Sequence, residues 1–287
     1  SVGENYQINA KILDANLNIN KNFKITNLYT DIKYVYKSYN DKKINFLVSK
    51  GEILNLDLKD SSININLKNN KKIIKSKINT IGISKHSEIK KISSLLGLDL
   101  SKIKNIYLKS DLETSLQFSI NNRFKITDRK FSVEGMIEEL NLQHIEFKNI
   151  KEFIPSYKSQ IILKDTKINL NQNNDLNLSG LMKFENKYEN FSLLTNTKKN
   201  SNFSGNLDLY DLSLKIPQLN YFKEKNTKGS VEFNVDSSKS NYKINHFIYS
   251  SEKTKIELNK ILLNKKLEIK DINSVKILTF TNNIKNN

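Results

Sequence analysis

The stretch Tyr6-Gln7-Ile8-Asn9-Ala10-Lys11-Ile12 sets an apolar side chain at every second position and a polar one between. Successive side chains of a β-strand point to opposite faces of the sheet. This is therefore the pattern of a strand with one dry face and one wet face. The pattern spreads outward along the chain. Ile32, Tyr34 and Tyr36 alternate with lysine, Ile53, Leu54, Leu56 and Leu58 continue with a phase slip at 53–54, and Ile63, Ile65 and Leu67 alternate with Asn. Further runs are Leu112 to Ile120, Phe131 to Leu142, Ile168 to Leu178, Leu207 to Ile216, Val231 to Val235, and Ile256 to Ile269. The spacing predicts about 18 strands of roughly 5–9 residues, with a bulge at Tyr210-Asp211 inside the run from Leu207 to Ile216.

Between the runs stand Asn20-Lys21-Asn22, Asn40-Asp41-Lys42 and Asn69-Asn70. Asn tolerates the left-handed backbone of tight hairpins and can stand in for glycine there. Short connections of this kind imply antiparallel meanders, because parallel neighbours need long crossovers. Glycines at 135, 180, 205 and 229 recur near strand starts and are read as hairpin corners or bulges. The alternation breaks once at 85–97, where Ile89, Ile92, Leu95 and Leu96 fall at helical spacing. Ser87 is the expected N-cap, with Glu88 in the first turn and Gly97 beyond the end. A second helical turn is expected at 148–154, before Pro155. The expected organisation is a β block over 1–84, a helix over 85–97, a second block over 98–281 continuing the same sheet, and a frayed tail over 282–287.

Composition removes several functions. The 287 residues contain no Cys, so there is no disulfide framework, thiol nucleophile or thiolate metal site. Scarce alanine, Ala10 and Ala15 alone, argues against a helical bundle. His86, His144 and His246 lie far apart without acidic neighbours at ligand spacing, so no metal is expected. Glu138 and Glu139 are adjacent on a strand and face opposite ways. Asn169 to Asp175 is oxygen-rich but lacks the turn glycine and bidentate Glu of a calcium loop, and reads as a hairpin. No phosphate loop, nucleophile elbow or HExxH is present, so neither an enzyme nor a cofactor is expected. The net charge is +17, carried by lysine apart from Arg123 and Arg129. About one residue in seven is Asn, so Lys and Asn are read as the default of wet faces and turns. The lysine pairs 71–72, 90–91, 198–199 and 265–266 are read as solvated turns, with anionic lipid headgroups as the sharper alternative. Nucleic acid is not an expected partner, for want of arginine clusters or a recognition motif.

What covers so much apolar face decides function. Alternation by itself leaves three arrangements open. They are a sandwich or filled barrel, such as an adhesive or structural envelope protein; an outer-membrane barrel; and an open sheet whose apolar face is occupied by acyl chains. The barrel fits less well, given short strands, scattered Tyr and no Trp.

Three stretches carry a family resemblance: Phe131-Ser-Val-Glu-Gly-Met-Ile-Glu-Glu-Leu-Asn-Leu142; the leucine-rich run Phe203 to Lys223, with its Pro217, followed by Lys228-Gly-Ser-Val-Glu-Phe233; and the block Tyr242 to Asn273. Their rhythm of strand, glycine, strand and polar gap resembles the AsmA-like superfamily of bacterial envelope proteins, nearest the YhdP-type members. The family's N-terminal membrane anchor is missing and glycine is sparse. The resemblance implies a mostly β fold, a long antiparallel meandering sheet curled into an open groove with one short amphipathic helix near 87–96. It implies a periplasmic location in a Gram-negative cell, with an inner-membrane anchor in a segment absent from this chain. The implied role is moving phospholipid between inner and outer membranes, or keeping outer-membrane lipid in balance. The implied partners are phospholipid acyl chains and the membrane surfaces or their proteins. The groove lining it implies is Leu112, Leu116, Phe118, Ile120, Val133, Leu207, Leu209, Leu212, Leu214, Ile216, Val231 and Phe233.

Overall fold

The computed structural model describes residues 5–19, 21, 23–68, 71–96, 99–121, 123, 125–145, 150–173, 175–196, 201–217, 220–266, 268–281 and 284–286. The expected helix end at Gly97 and the lysine pair 198–199 lie outside them. The chain divides into two compact units, 1–100 with 107–138, and 101–106 with 139–287.

The strands of the first part are β1 (Tyr6–Asn18), β2 (Lys24–Ser38), β3 (Asp41–Ile53), β4 (Leu56–Lys68) and β5 (Lys71–Lys85), then helix α1 (His86–Leu96), β6 (Ile103–Ile120) and β7 (Ile126–His144). The second part continues with α2 (Ile150–Phe153), β8 (Gln160–Leu170), β9 (Asp175–Lys183), β10 (Tyr188–Asn196) and β11 (Ser201–Asp208). It ends with β12 (Leu214–Ile216), β13 (Tyr221–Lys223), β14 (Gly229–Ser237), β15 (Asn241–Ser251), β16 (Thr254–Asn264), β17 (Ile269–Thr281) and β18 (Ile284–Asn286). Hydrogen-bonded neighbours follow chain order from β1 to β18, except that β12 and β13 leave the sheet and pair only with each other. The fold is thus mostly β, one long antiparallel meander whose order is linear and is not closed into a barrel. Part of the tail expected to fray, Ile284–Asn286, pairs with β17.

Three expectations are corrected. Strands are longer than expected, β6 running 18 residues and β7 19. The argument from short strands against a membrane barrel therefore fails. The phase slip at 53–54 is the β3–β4 hairpin turn, with Leu54 at φ 51° and Asn55 at φ 63°. Two successive left-handed residues make a type I′ turn, which suits Asn and Gly and strains Leu. Leu54→Asn is expected to raise stability by about 1 kcal/mol, read from the urea midpoint. Finally, Ser87 is not the N-cap. Lys85 precedes the helix, its N–H donating to Glu88 Oε2 at 3.0 Å as in half of a capping box, while Ser87 Oγ donates to Glu88 Oε1 at 2.7 Å.

Long strands hide breaks in their alternation. In β1 the apolar face passes from Ile12 to Ala15, in β2 from Ile25 to Leu28, in β3 from Val48 to Gly51, and in β4 from Leu58 to Ser61. Each is a jump of three where two is the rule. Asp14, Asn27 and Asp60 sit in these jumps with φ of 53°, 51° and 45°. The jumps lie side by side, because Ala15 opposes Leu28, Val48 opposes Ser61 and Gly51 opposes Leu58. A bulge bends its strand, so an aligned column of bulges creases the sheet. Burial identifies the inner side of the crease. Leu28, Val48 and Leu58 are buried there, with Ala15, Ile25, Ile53 and Ile78 packed against them. The crease stops at β5, where Ser61 Oγ accepts the N–H of Asn79 at 2.9 Å. The same motif recurs in the second unit. Leu58-Lys59-Asp60-Ser61 and Leu163-Lys164-Asp165-Thr166 both put Asp at φ 45° and bury the following hydroxyl residue. Gly180 faces the second of these bulges, and an added Cβ would stand 2.5 Å from Thr166 Oγ1. Gly135 and Gly205 stand inside strands rather than at hairpin corners, and Gly229 alone of the four begins one.

Candidate functional site

In an antiparallel sheet, directly opposed residues lie on the same face. Following the register therefore traces what each face presents across the strands. In the first unit Ile8, Tyr34, Ile44, Ile65, Ile74 and Phe118 oppose one another in succession from β1 to β6. The adjoining row is Ala10, Ile32, Phe46, Ile63, Ser76 and Leu116. On the other face a row reads Asn9, Lys33, Asn45, Asn64, Lys75 and Gln117. Apolar and polar stripes thus run across the strands, along the direction in which hairpins are added.

The second unit repeats this. One row runs Ile168, Leu178, Leu193, Gly205, Phe233, Phe247, Leu258 and Val275. A second runs Phe203, Val235, Ile244, Ile261 and Ile272. A third runs Phe191, Leu207, Val231, Tyr249, Ile256 and Ile277. In β15, β16 and β17 the face again jumps by three, between 244 and 247, 258 and 261, and 272 and 275, with Lys260 at φ 52°.

Residues 209–217 and 220–228 cover part of this face. The expected bulge at Tyr210-Asp211 is instead the point where the chain leaves the sheet, and β12 and β13 form a flap. Leu209, Leu212 and Leu214 bury Tyr249 and Ile256 beneath it. The flap is held by buried charge. Asp211, 1% exposed, accepts the N–H of Asn186 at 2.6 Å and of Lys187 at 2.9 Å, and its own N–H donates to Glu189 Oε1 at 2.6 Å. Lys223, 2% exposed, donates from Nζ to the carbonyls of Leu212 at 2.8 Å and Glu224 at 3.1 Å. Lys225 bridges Glu185 and Asp211. Burial pushes the Asp211 carboxyl up, but the two N–H donors and the Lys225 ammonium outweigh it and hold it below the usual carboxylate range. Burial pulls the Lys223 ammonium down, opposed by the charges of Glu189 and Asp211. Tyr221 OH donates to Tyr249 OH at 2.9 Å, and burial raises the Tyr249 phenol.

Beside the flap the face is open. A cleft of about 1080 Å³ is floored by Ile244, Phe247, Leu258, Ile261, Leu263, Ile269, Ile272 and Val275, and walled by Leu214, Ile216, Phe153 and Ile154. Its charged residues are Glu152, Lys266 and Glu268. The volume is slightly above the usual range for small-molecule sites, and the lining is predominantly apolar. Ile269, Ile272, Val275 and Ile277 remain 41–48% exposed on β17.

The expected lining residues fall into three groups. Leu214 and Ile216 line the cleft, and Phe233 continues its floor beside Phe247. Leu209 and Leu212, each 2% exposed, hold the flap down, with Leu207 and Val231 packed against the same cluster. In the first unit Phe118 and Leu116 end the two apolar rows, Ile120 opposes Lys72, Leu112 opposes Thr80, and Val133 is half-buried on β7. Most of the cleft floor, from Ile244 to Val275, was missed. The signal for it is the jump of three in the alternation. Among the described residues no cluster of His, Asp or Glu could hold a metal. Asn171 Oδ1 accepts the N–H of Asn173 and of Asp175, which makes the oxygen-rich loop a hairpin turn. His144 packs against Tyr157, whose hydroxyl lies 2.7 Å from His144 Nε2. Among the described residues no helix is long and apolar enough to cross a membrane. The chain matches no family model, no curated protein and no solved structure.

Proposed function

We propose that this chain is a non-enzymatic apolar trough for phospholipid acyl chains, a segment of a periplasmic AsmA-like protein that moves phospholipid between inner and outer membranes or maintains outer-membrane lipid balance. The observation that carries this reading is that within each unit apolar rows cross successive strands, and that in the second unit such rows floor an open cleft. A pocket for one compact molecule needs no such continuity. A sliding hydrocarbon chain does, because every gap in the row would return methylenes to water at about 0.8 kcal/mol each. Movement is passive in this reading, with headgroups wet and acyl chains on the rows. The adhesive-sandwich alternative needs a second large sheet over this face, whereas the flap is two short strands.

Native mass spectrometry of the purified chain after incubation with phospholipid vesicles tests it. Bound phospholipid is the expected result, and its absence from repeated mild preparations sinks the reading. Phe247→Asp, in the cleft floor, is expected to reduce lipid loading at least tenfold, the loss of roughly 1.4 kcal/mol or more. Ile248→Asp, one position along and opposed to Glu232 and Glu257 on the other face, is expected to leave loading unchanged. Equal losses would refute the assignment of faces.

A further inference from the structure

The lysines of the first unit are not evenly spread. Three hairpin ends lie along one margin of its sheet. The β2–β3 end carries Lys37, Lys42 and Lys43, the β4–β5 end Lys68, Lys71 and Lys72, and the β6–β7 end Arg123 and Lys125. Against these eight cations stand two carboxylates, Asp41 and Asp128, the latter paired with Lys71 at 2.8 Å. At the opposite strand ends of this unit the β1–β2 connection carries Lys21 and Lys24, the β3–β4 turn Glu52 and Asp57, and the stretch after β5 Lys85, Lys90 and Lys91 with Glu88 and Asp99, five cations against four carboxylates. A lysine bias from composition alone would load both margins alike.

Two further features tie the basic margin to the apolar face. The last row before it reads Tyr6, Tyr36, Lys42, Leu67, Lys72 and Ile120, so Lys42 and Lys72 stand on the apolar face among hydrophobic neighbours. Tyr6 stacks on Tyr36 at 4.9 Å, and Lys42 Nζ lies 4.9 Å from the Tyr39 ring and 5.6 Å from the Tyr36 ring. Tyrosine and lysine at the edge of an apolar surface suit a boundary between hydrocarbon and headgroup. Successive hairpins are two strands apart, so the cations recur about every 10 Å along the margin.

We infer that this margin is a headgroup track, a line of cations that holds the phosphate of anionic phospholipids while their acyl chains lie on the adjoining rows. The inference rests on the acyl-chain reading above and adds the class of lipid. Each hairpin supplies the next phosphate position before the last is lost, so an anionic headgroup moves along the margin without passing through an uncompensated stretch.

The test offers the whole chain vesicles of equal phosphatidylglycerol, phosphatidylcholine and diacylglycerol and reads the bound lipids by native mass spectrometry. Phosphatidylglycerol is expected to be enriched roughly tenfold over phosphatidylcholine at low salt and much less in 0.5 M salt, as screening of exposed charge requires. The variant Lys37→Gln/Lys43→Gln/Lys68→Gln/Arg123→Gln is expected to lose that enrichment while still taking up diacylglycerol. Lys21→Gln/Lys24→Gln, at the other margin, is expected to keep it. Lipid bound without preference for phosphatidylglycerol, or a preference that survives the fourfold variant, overturns the track and leaves the acyl-chain reading standing. No bound lipid of any kind overturns both. Sedimentation with phosphatidylglycerol vesicles without removal of lipid from them would assign the margin to bilayer docking and overturn the track.

Discussion

Asp211→Ala is expected to destabilise the second unit by about 3 kcal/mol or more and to release the flap formed by β12 and β13. The carboxylate is buried and accepts two backbone N–H groups, from Asn186 and Lys187. Removing it leaves those donors without their acceptor and takes one of the two carboxylates whose charge opposes the cost of burying Lys223. Breaking a buried charge network from one side is far costlier than never building it. Hydrogen exchange should show loss of protection at β12 and β13 first, because Asp211 begins the segment that carries them. A loss below about 0.5 kcal/mol, the range of ordinary surface substitutions, would show that apolar packing alone seats the flap. The pH dependence has a definite sign. The Asp211 carboxyl is held below its ordinary value, and Glu185 is likewise lowered, by its hydrogen bond from Lys225 first. A carboxylate whose folded pKa lies below its unfolded one adds stability above the unfolded value, near pH 4, and loses it as pH falls through the folded value. Stability of the wild-type chain should therefore drop on acidification below about pH 4, and Asp211→Ala should flatten that drop.

Ile256→Ala is expected to cost about 3 kcal/mol, while Val275→Ala is expected to cost under about 1 kcal/mol. Both residues point from neighbouring strands toward the same side of the sheet. Ile256 is fully buried under Leu209, Leu212 and Leu214, and truncating it leaves a cavity in a closed cluster. Val275 is 41% exposed on the cleft floor, so truncation removes little packing. Urea unfolding of the two variants measures the difference. In lipid loading the order should reverse, with Val275→Ala the more damaging of the two once both are folded. Equal stability costs would mean that the flap and the cleft floor are not distinct environments.

The period of two was legible because it follows from the pleat itself and is written into every strand. Turn chemistry was legible only in part. Asn was read as a left-handed turn residue, and Asn55 is one. Asn121, Asn171 and Asn264 work otherwise, their Oδ1 atoms each accepting two backbone N–H groups across a five-residue turn. The creases were legible in principle, as apolar jumps of three around Asp14, Asn27 and Asp60. They looked like strand ends because one bulge in isolation resembles a loop; only its alignment with bulges in neighbouring strands makes it a bend. The flap was illegible. Leu212-Ser213-Leu214-Lys215-Ile216 alternates like any other strand here, and what takes it out of the sheet is a set of partners, Asn186, Lys187 and Glu189, some 22 to 25 residues away.

Alternation assigned the faces of this protein, and composition removed thiol and rich histidine chemistry. Those properties are local, since a side chain's face depends only on its place in the pleat. Which part of the apolar face is dry and which is open was settled by long-range packing. Tyr249 and Phe247 share a face of β15 and differ by two positions, yet one is sealed beneath the flap and the other floors the cleft. Hydrophobic burial is non-directional, so a pattern of apolar residues states that something must cover them without stating what. The +17 charge follows the same division. Its amount is composition, whereas its gathering on one margin of the first unit arises only when antiparallel pairing brings three distant hairpins to the same edge.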